Sequence, residues 1–269
     1  MEDLIEDRSM RIAVYQMGIT WENKNRNYLK VKRLLEACKK KNDILLLPEM
    51  SFTGFSMNTD ITKESNLETL GRMTEYARQF QIAIGFGWVK DCGEKSENHY
   101  TIIDKAGETV SDYVKIHPFS FSGENQKFQA GNCISSFKFM DTRFASFICY
   151  DLRFPEIFQI ASKSAHVILV PANWPQKRRN HWRCLLQARA IENQVYIIAI
   201  NCVGEIGGLI YSGDSCVINP DGEILLEISN REGVLEYELL DDVDDFRNSF
   251  QLKKDRRVEL YMKYAKGLL

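Results

Sequence analysis

The sequence has no excess of charge of either sign and no long apolar run. Its 269 residues include 35 Lys and Arg and 37 Asp and Glu, which gives a formal charge of −2. Without a basic excess, the chain has no electrostatic footprint for nucleic acid or for an anionic lipid surface. The longest apolar stretch, Val195 to Val203, is interrupted by Asn201 and is shorter than the roughly 18 residues that a membrane-spanning helix needs. We therefore expect a small uncharged or anionic molecule as partner, with no nucleic acid and no membrane.

The sequence also lacks paired cysteines at the spacing of a metal site. Its seven cysteines are an odd number, and none forms a C-x-x-C pair, so neither a disulfide framework nor a zinc site is predicted. The acidic segment 1–7 lacks the positive and apolar regions of a secretory signal. We expect reduced thiols, a cytoplasmic protein, and no metal or cofactor.

Short apolar runs alternate with longer segments of helical period, which is typical of an α/β protein. In the first half, strands are predicted near 12–17, 44–47, 82–89, 100–104 and 109–114, with helices near 23–41 and 66–80. In the second half, strands are predicted near 134–139, 143–148, 166–170 and 195–201, helices near 155–163 and 179–193, and a hairpin over 211–228. No Gly- or Ser-rich linker separates the halves. We predict two sheets with helices outside in one domain, 1–269, with a core over about 11–238 and a C-terminal helix and solvated tail over 239–269.

Two charged residues follow predicted strands, at positions where α/β proteins place reacting groups. Glu49 comes directly after the apolar run 44–47, and burial there would raise its pKa toward that of a useful base. A helix cap or a surface carboxylate is the alternative. Lys115 follows the strand 109–114; in a dry cleft its ammonium group would stabilise an oxyanion, whereas a lysine after a strand is usually solvated.

Cys149 lies at a corner between the strand 143–148 and the helix that begins near Pro155. We interpret the other six cysteines as small core residues. A thiol beside a helix N-terminus, with a lysine nearby, has a depressed pKa and becomes a nucleophilic thiolate. The corner would also direct the backbone N–H of Tyr150 at a reacting carbonyl, as a second oxyanion donor.

The three positions resemble, in this order, the Glu-Lys-Cys triad of the nitrilase superfamily of carbon–nitrogen hydrolases. The matching contexts are Leu-Pro-Glu at Glu49, Lys-Ile-His at Lys115 and Cys-Tyr-Asp-Leu-Arg-Phe-Pro-Glu at Cys149, and the resemblance extends over about 11–238. It implies a catalytic triad, with Glu124 of Ser-Gly-Glu-Asn where the family has a second glutamate. It also implies a four-layer α-β-β-α sandwich and a homodimer that extends the sandwich across the interface.

Further stretches resemble one branch of that family, the ω-amidases that act on 2-oxoglutaramate and related monoamides of dicarboxylic acids. They are Pro-Ala-Asn-Trp-Pro at 171–175 and the segments 181–194, 213–215 and 219–222. The resemblance implies thiol-dependent hydrolysis of an amide with release of ammonia. N-carbamoyl compounds are the second candidate substrates and nitriles the third. A metabolite-binding protein without activity is the alternative class, but loss of the thiol, the carboxylate or the ammonium group would mark it, and all three are present.

Four residues are candidates for binding substrate: Tyr150, Arg153, Asn173 and Trp174. Asn173 and Trp174 follow the strand 166–170, so they are suited to line an acyl pocket; packing is the alternative for Trp174. Arg153, together with Asp151, either holds the cysteine corner as a cap or ion pair, or binds a substrate carboxylate through its guanidinium group.

Two further features have less direct interpretations. His117 and His181 would suit a Cys-His protease, but the cysteine contexts of such enzymes are absent and a carboxylate base is already available. The basic triplet 177–179 lies in a loop beside Trp174 and His181. It is either a solvated surface or a segment that binds an anion.

Overall fold

The computed structural model describes residues 9–38, 41–240 and 242–265. The acidic segment 1–7, part of the predicted first helix and the first residue of the acidic run 241–245 lie outside these ranges. Among the residues described, none of the helices combines the length and the apolar character needed to span a bilayer.

One mixed sheet contains seven described strands, six from the first half of the chain and one from near its C-terminal end. It has the order β14-β1-β2-β4-β5-β6, and β3 pairs with β4. These strands are β1 (Met10–Gln16), β2 (Ile44–Leu46), β3 (Lys63–Glu64), β4 (Ala83–Asp91), β5 (Ser96–Ile103), β6 (Thr109–Val114) and β14 (Gly233–Leu239). The continuous apolar run of β2 is buried on both faces, as expected for a strand paired in parallel with β1 and β4.

The second half forms another mixed sheet, of the order β11-β12-β10-β9-β8-β7, with β13 paired to β12. Its strands are β7 (Ser136–Phe139), β8 (Thr142–Ser146), β9 (Val167–Ala172), β10 (Tyr196–Asn201), β11 (Val203–Ile206), β12 (Leu209–Ile218) and β13 (Ile224–Ser229). The described helices are α1 (Lys24–Ala37), α2 (Thr59–Thr62), α3 (Glu68–Phe80), α4 (Glu124–Lys127), α5 (Pro155–Ala161), α6 (Arg179–Asn193), α7 (Val243–Ser249) and α8 (Val258–Ala265).

The side chains of β1 show how the layers are built. Because alternate residues of a strand point to opposite faces, Val14 packs in the core shared with the second sheet, while Tyr15 packs with Tyr28 of α1 and Met73 of α3. On the far side, α5 and α6 cover the second sheet, with Trp182 and other α6 residues buried. The arrangement is the predicted four-layer α-β-β-α sandwich.

Several parts of the chain differ from the sequence prediction. Of the six cysteines predicted as core residues, only Cys202 and Cys216 are buried, and the other four are exposed: Cys38, Cys92, Cys133 and Cys184. Strand β14, which the sequence analysis did not assign, returns to pair antiparallel with β1 along its whole length. The C-terminal segment is only partly solvated. In α7, Val243 is buried, and the Arg247 guanidinium group donates to the carbonyl oxygens of Ala165 and Gln194. Helix α8 has no buried residue, as predicted for a solvated helix.

A close backbone approach positions the segment that carries Glu49. A Cβ atom at Gly87 of β4 would lie 2.3 Å from the backbone nitrogen of Met50. Met50 itself has φ +42°, in the left-handed region. Glycine at position 87 therefore lets the chain after β2 turn directly over β4.

Candidate active site

Cys149 opens a 3₁₀ segment, Cys149–Arg153, immediately after β8 and ahead of α5. Its φ of +49° is unusual for a residue with a side chain and is typical of strained corners at functional sites. The buried Asp151 holds this corner, because its Oδ2 accepts hydrogen bonds from Ile148 N at 3.0 Å and from the Tyr113 hydroxyl at 2.8 Å. Its Oδ1 accepts from His117 N at 2.9 Å. The predicted capping role of Asp151 is confirmed.

Three charged side chains form a buried cluster beside the corner. Lys115 Nζ donates to Glu49 Oε1 at 2.9 Å and to Glu124 Oε2 at 2.9 Å. All three side chains are at most 1% exposed. Charges buried this deeply are stable only when they are paired. The structure thus brings Glu49 together with Lys115 and Glu124, although Glu49 lies 66 residues before Lys115 in the sequence.

The cluster includes a residue that the sequence did not single out. Asn98 Nδ2 lies 2.8 Å from Glu49 Oε1 and 3.2 Å from Glu124 Oε1, so its amide bridges the two carboxylates. Asn98 belongs to β5, which begins four residues earlier than the apolar pattern predicted. A polar residue at the start of a strand carries no hydrophobic signal, so only the fold reveals its position.

Asn173 links the carboxylate to the thiol. Its backbone N–H donates to Glu49 Oε2 at 2.9 Å, and its side-chain amide donates to the Glu49 carbonyl at 2.6 Å. Its own carbonyl oxygen faces the Cys149 thiol, 3.9 Å from Sγ. The buried Cys202 thiol donates to Asn173 Oδ1 at 3.2 Å and so orients the amide. Asn173 therefore holds Glu49 in place as well as lining the cavity.

The predicted thiolate at Cys149 is not what the structure favours. Burial raises the pKa of the Cys149 thiol well above its usual value, and the charge of Glu49 raises it further, while Lys115 only partly opposes this. The short helical segment that begins at Cys149 does not offset this rise in pKa. The thiol thus carries its proton at neutral pH, and nucleophilic attack requires a base to accept that proton.

The cluster carries two carboxylates for a single ammonium group. Burial acts to lower the pKa of Lys115, but Glu124 and Glu49 outweigh it and raise that pKa above its ordinary value. Burial raises the pKa of Glu124; Lys115 opposes this, and Glu49 adds to it. Lys115 is therefore a cation, and Asn173 holds the side chain and the backbone of Glu49 beside it.

A cavity of about 240 Å³ opens above Cys149. All four predicted substrate-binding residues, Tyr150, Arg153, Asn173 and Trp174, line it, together with Lys115. None of the described lining residues is acidic. Lys177 and Arg178 of the basic triplet also line it, which agrees with the anion-binding interpretation of that segment. The sequence analysis did not give the other lining residues as candidates: Phe55, Met57, Phe119, Phe121, Ser122, Pro175, Leu209 and Tyr211.

Both alternatives considered for Trp174 hold. Its ring is 4% exposed and packs 5.4 Å from Trp182, while one face borders the cavity. Arg153 makes no ion pair with a described carboxylate. Its guanidinium group instead lies 4.8 Å from the Trp174 ring centroid and contacts His181 Nδ1 at 3.3 Å. The ion-pair interpretation of Arg153 is therefore wrong for the described part of the chain.

The histidines do not take the place of a catalytic base. His117 Nδ1 lies 2.7 Å from Asp151 Oδ1, and its ring stacks on Phe154. His181 contacts Arg153 at the edge of the cavity. The described residues also contain no group of three or more His, Cys, Asp or Glu side chains arranged to hold a metal ion.

A buried Glu-Lys-Glu cluster beside a strained cysteine, between two stacked sheets, is the arrangement expected of a thiol hydrolase. The profile of the carbon-nitrogen hydrolase family matches residues 11–248. This chain therefore belongs to the carbon–nitrogen hydrolase family and is an enzyme of that class.

Named relatives and solved structures agree with this assignment. The chain is 32% identical to the 2-oxoglutaramate amidase of Bacillus subtilis, over 93% of this chain and 98% of that protein. It is 35% identical to the omega-amidase YafV of Escherichia coli K12, over 80% and 84%. A Xanthomonas campestris protein of the superfamily, with an arsenic adduct in its active site, superposes with a TM-score of 0.87 at 28% identity, covering 93% and 97% of the two chains. A mutant Nesterenkonia amidase with acrylamide added to its active-site cysteine superposes with a TM-score of 0.84 at 26% identity, covering 95% of this chain and 99% of that chain.

Proposed function

We propose that this carbon–nitrogen hydrolase is an ω-amidase, which hydrolyses 2-oxoglutaramate or a similar monoamide of a dicarboxylic acid and releases ammonia. The observation that carries the proposal is Arg153, whose guanidinium group borders the same cavity as Cys149 and has no described carboxylate partner. A guanidinium group recognises a carboxylate through two parallel hydrogen bonds. The names of the Bacillus subtilis and Escherichia coli relatives support the same substrate class.

The geometry suits acyl transfer through a thioester. Glu49 accepts the proton of the Cys149 thiol while the sulfur attacks the amide carbon. The ammonium group of Lys115 stabilises the oxyanion of the tetrahedral intermediate, together with the N–H of Tyr150, because the first N–H groups of a helical segment have no partner within it. Glu49 then returns its proton to the leaving nitrogen, the C–N bond breaks, and ammonia departs.

A water molecule completes the reaction. Glu49 accepts one proton from this water as its oxygen attacks the thioester carbonyl, and the C–S bond then breaks. The carboxylic acid is released, and the proton returns to the sulfur. Glu124 keeps Lys115 in position through both of its oxygens, and it also accepts from the backbone N–H of Phe119, which ties the cluster to the wall of the cavity.

Ammonia release from a panel of substrates tests the proposal. We expect turnover of 2-oxoglutaramate and succinamate, and at most weak turnover of glutamine, an N-carbamoyl amino acid and a simple nitrile. Arg153→Gln should lower kcat/KM for succinamate by about 10- to 100-fold, since a hydrogen bond to a charged group contributes about 1.5–3 kcal/mol. The same substitution should lower kcat/KM for the neutral amide butyramide much less.

The matched control is Arg72→Gln, which removes an exposed guanidinium group on α3 away from the cavity. If the wild-type enzyme turned over the N-carbamoyl compound or the nitrile faster than 2-oxoglutaramate and succinamate, the proposed substrate class would be wrong and that alternative would take its place. An equal loss on succinamate and butyramide would exclude carboxylate recognition by Arg153. No ammonia release from any member of a broad amide library would favour the metabolite-binding alternative.

We also propose a cytoplasmic homodimer built from the single domain 1–269. Helices α5 and α6 on the outside of the second sheet expose Ile160 and Ile191, each by 50%, and exposed apolar side chains on adjacent helices favour association. Light scattering should give about twice the chain mass of 31.2 kDa. A monomeric mass at micromolar concentration would contradict the homodimer.

A further inference from the structure

The basic triplet 177–179 divides into one structural residue and two that face the cavity. Arg179 makes a bidentate ion pair with Asp214, from Nε to Oδ2 at 2.8 Å and from Nη2 to Oδ1 at 2.6 Å. Lys177 and Arg178 instead line the cavity above Cys149. The charge of Arg179 is thus already satisfied within the fold, whereas the other two charges face the space where substrate would bind.

The guanidinium group of Arg178 lies over two aromatic rings. Its Cζ is 5.4 Å from the ring centroid of Phe119 and 5.3 Å from that of Phe121. No described carboxylate pairs with it. The backbone carbonyl of Arg178 accepts a hydrogen bond from Trp174 Nε1 at 2.8 Å, so the loop is held independently of the side chain. A contact of this type at a partly exposed site is weaker than a bidentate contact with a carboxylate, so an arriving carboxylate would displace it.

The two guanidinium groups without a described carboxylate partner are both half-buried, and they rest on different rings of the cavity wall. Arg153 rests against Trp174, which is 4% exposed, whereas Arg178 rests against Phe121, which is 78% exposed. Arg153 also belongs to the same short helical segment as Cys149. From the burial of Trp174 and the shared segment we infer that Arg153 is the inner cation and Arg178 the outer one.

We propose that Arg178 is a second carboxylate-binding, specificity-determining residue, which accepts monoamides of longer dicarboxylic acids than Arg153 does. The inference rests on the proposed function and extends it. With the amide carbon fixed at Cys149, the length of the acyl chain decides which guanidinium group its distal carboxylate reaches. Short acyl chains reach Arg153, and longer chains pass it and reach Arg178 between the phenylalanine rings.

The test is a chain-length series of monoamides from four to eight carbon atoms, with neutral amides of the same lengths. Arg178→Gln should lower the ratio of kcat/KM for suberamate to kcat/KM for succinamate at least about tenfold, because it removes the bidentate contact of the longer substrate. Arg153→Gln should change that ratio in the opposite direction. Arg72→Gln, with the same loss of charge outside the cavity, should leave it unchanged.

Inhibition by the unamidated diacids provides a second readout that needs no turnover of the long substrate. Suberate should compete with succinamate, and Arg178→Gln should raise its inhibition constant about tenfold. Arg178→Lys should recover less than half of this effect, because an ammonium group lacks the planar fork.

Three results would overturn the proposal. Equal losses of kcat/KM in Arg178→Gln for charged and neutral amides of every length would assign the side chain to packing of the loop. An unchanged length ratio would show that no carboxylate reaches it. No turnover of any monoamide by the wild-type enzyme would overturn the ω-amidase function itself, and this inference with it.

Discussion

Replacing Cys149 with alanine is expected to lower ammonia release from succinamate by at least about 10⁴-fold, because the nucleophile is lost while every other group of the site remains. The fold should persist. The thiol's hydrogen bond to the carbonyl of Asn173 is long, at 3.9 Å. The corner is held instead by Asp151, which accepts hydrogen bonds from Ile148 N and the Tyr113 hydroxyl. Thermal unfolding followed by circular dichroism should therefore give nearly the same Tm as the wild type.

Cys216→Ala is the matched control for this change. Cys216 is also a buried free thiol, but it packs in the core between β-strands and does not line the cavity. Its replacement should cost some stability through lost packing while kcat/KM stays within about twofold. Residual activity of Cys149→Ala above about one hundredth of the wild type would exclude covalent catalysis by this thiol, since its loss removes the only step that forms the thioester.

The main elements of the site could be predicted because each lies beside a strong local pattern. Glu49 follows a continuous apolar strand and Cys149 stands between a strand and a proline-initiated helix, so the alternation of apolar runs places both at one edge of the sheets. Lys115 follows β6 in the same way. The two-sheet sandwich follows from the same alternation, repeated in the two halves of the chain.

Features that depend on contacts between distant segments could not be predicted. Asn98 bridges two carboxylates that are 49 and 26 residues away, and nothing in its local sequence indicates this. The predicted lowering of the Cys149 pKa was wrong. The sequence shows the helical segment and the lysine that lower this pKa, whereas burial and the charge of Glu49, which raise it, depend on the fold. Strand β14 was missed although its alternation of Leu235, Tyr237 and Leu239 with two glutamates is the pattern of a half-buried strand; what the sequence does not show is that it pairs with β1, near the other end of the chain.

Replacing Lys115 with methionine is expected to lower the free energy of unfolding by roughly 3–5 kcal/mol, because it leaves two buried carboxylates without their cation. Glu49 and Glu124 are both fully buried, and their remaining shared donor is the uncharged amide of Asn98. Activity should also fall at least about 100-fold, since a donor to the oxyanion is lost. Urea unfolding and ammonia release on the same preparations measure the two effects.

The stability deficit of Lys115→Met should depend on pH with a defined sign. Burial and Glu49 already raise the pKa of Glu124, and removing Lys115 takes away the charge that opposes them. A carboxyl group whose pKa is raised by folding binds more protons in the folded state than in the unfolded state. Stability therefore falls as pH rises through the folded-state pKa. The variant should consequently recover stability relative to wild type as the pH is lowered from neutral.

Lys24→Met separates this effect from the general loss of a lysine. Lys24 pairs with the buried Glu64 at 2.7 Å, outside the cavity, so its removal should destabilise the fold without changing kcat/KM.

The double variant Lys115→Met/Glu124→Gln separates the cost of buried charge from the loss of catalysis. Removing the second carboxylate leaves Glu49 as the one remaining charge of the cluster, so part of the lost stability should return. Activity should not return, because no cation faces the oxyanion. Wild-type stability of Lys115→Met across the pH range would disprove the buried-charge account, and restored turnover in the double variant would show that Lys115 serves only to neutralise Glu124.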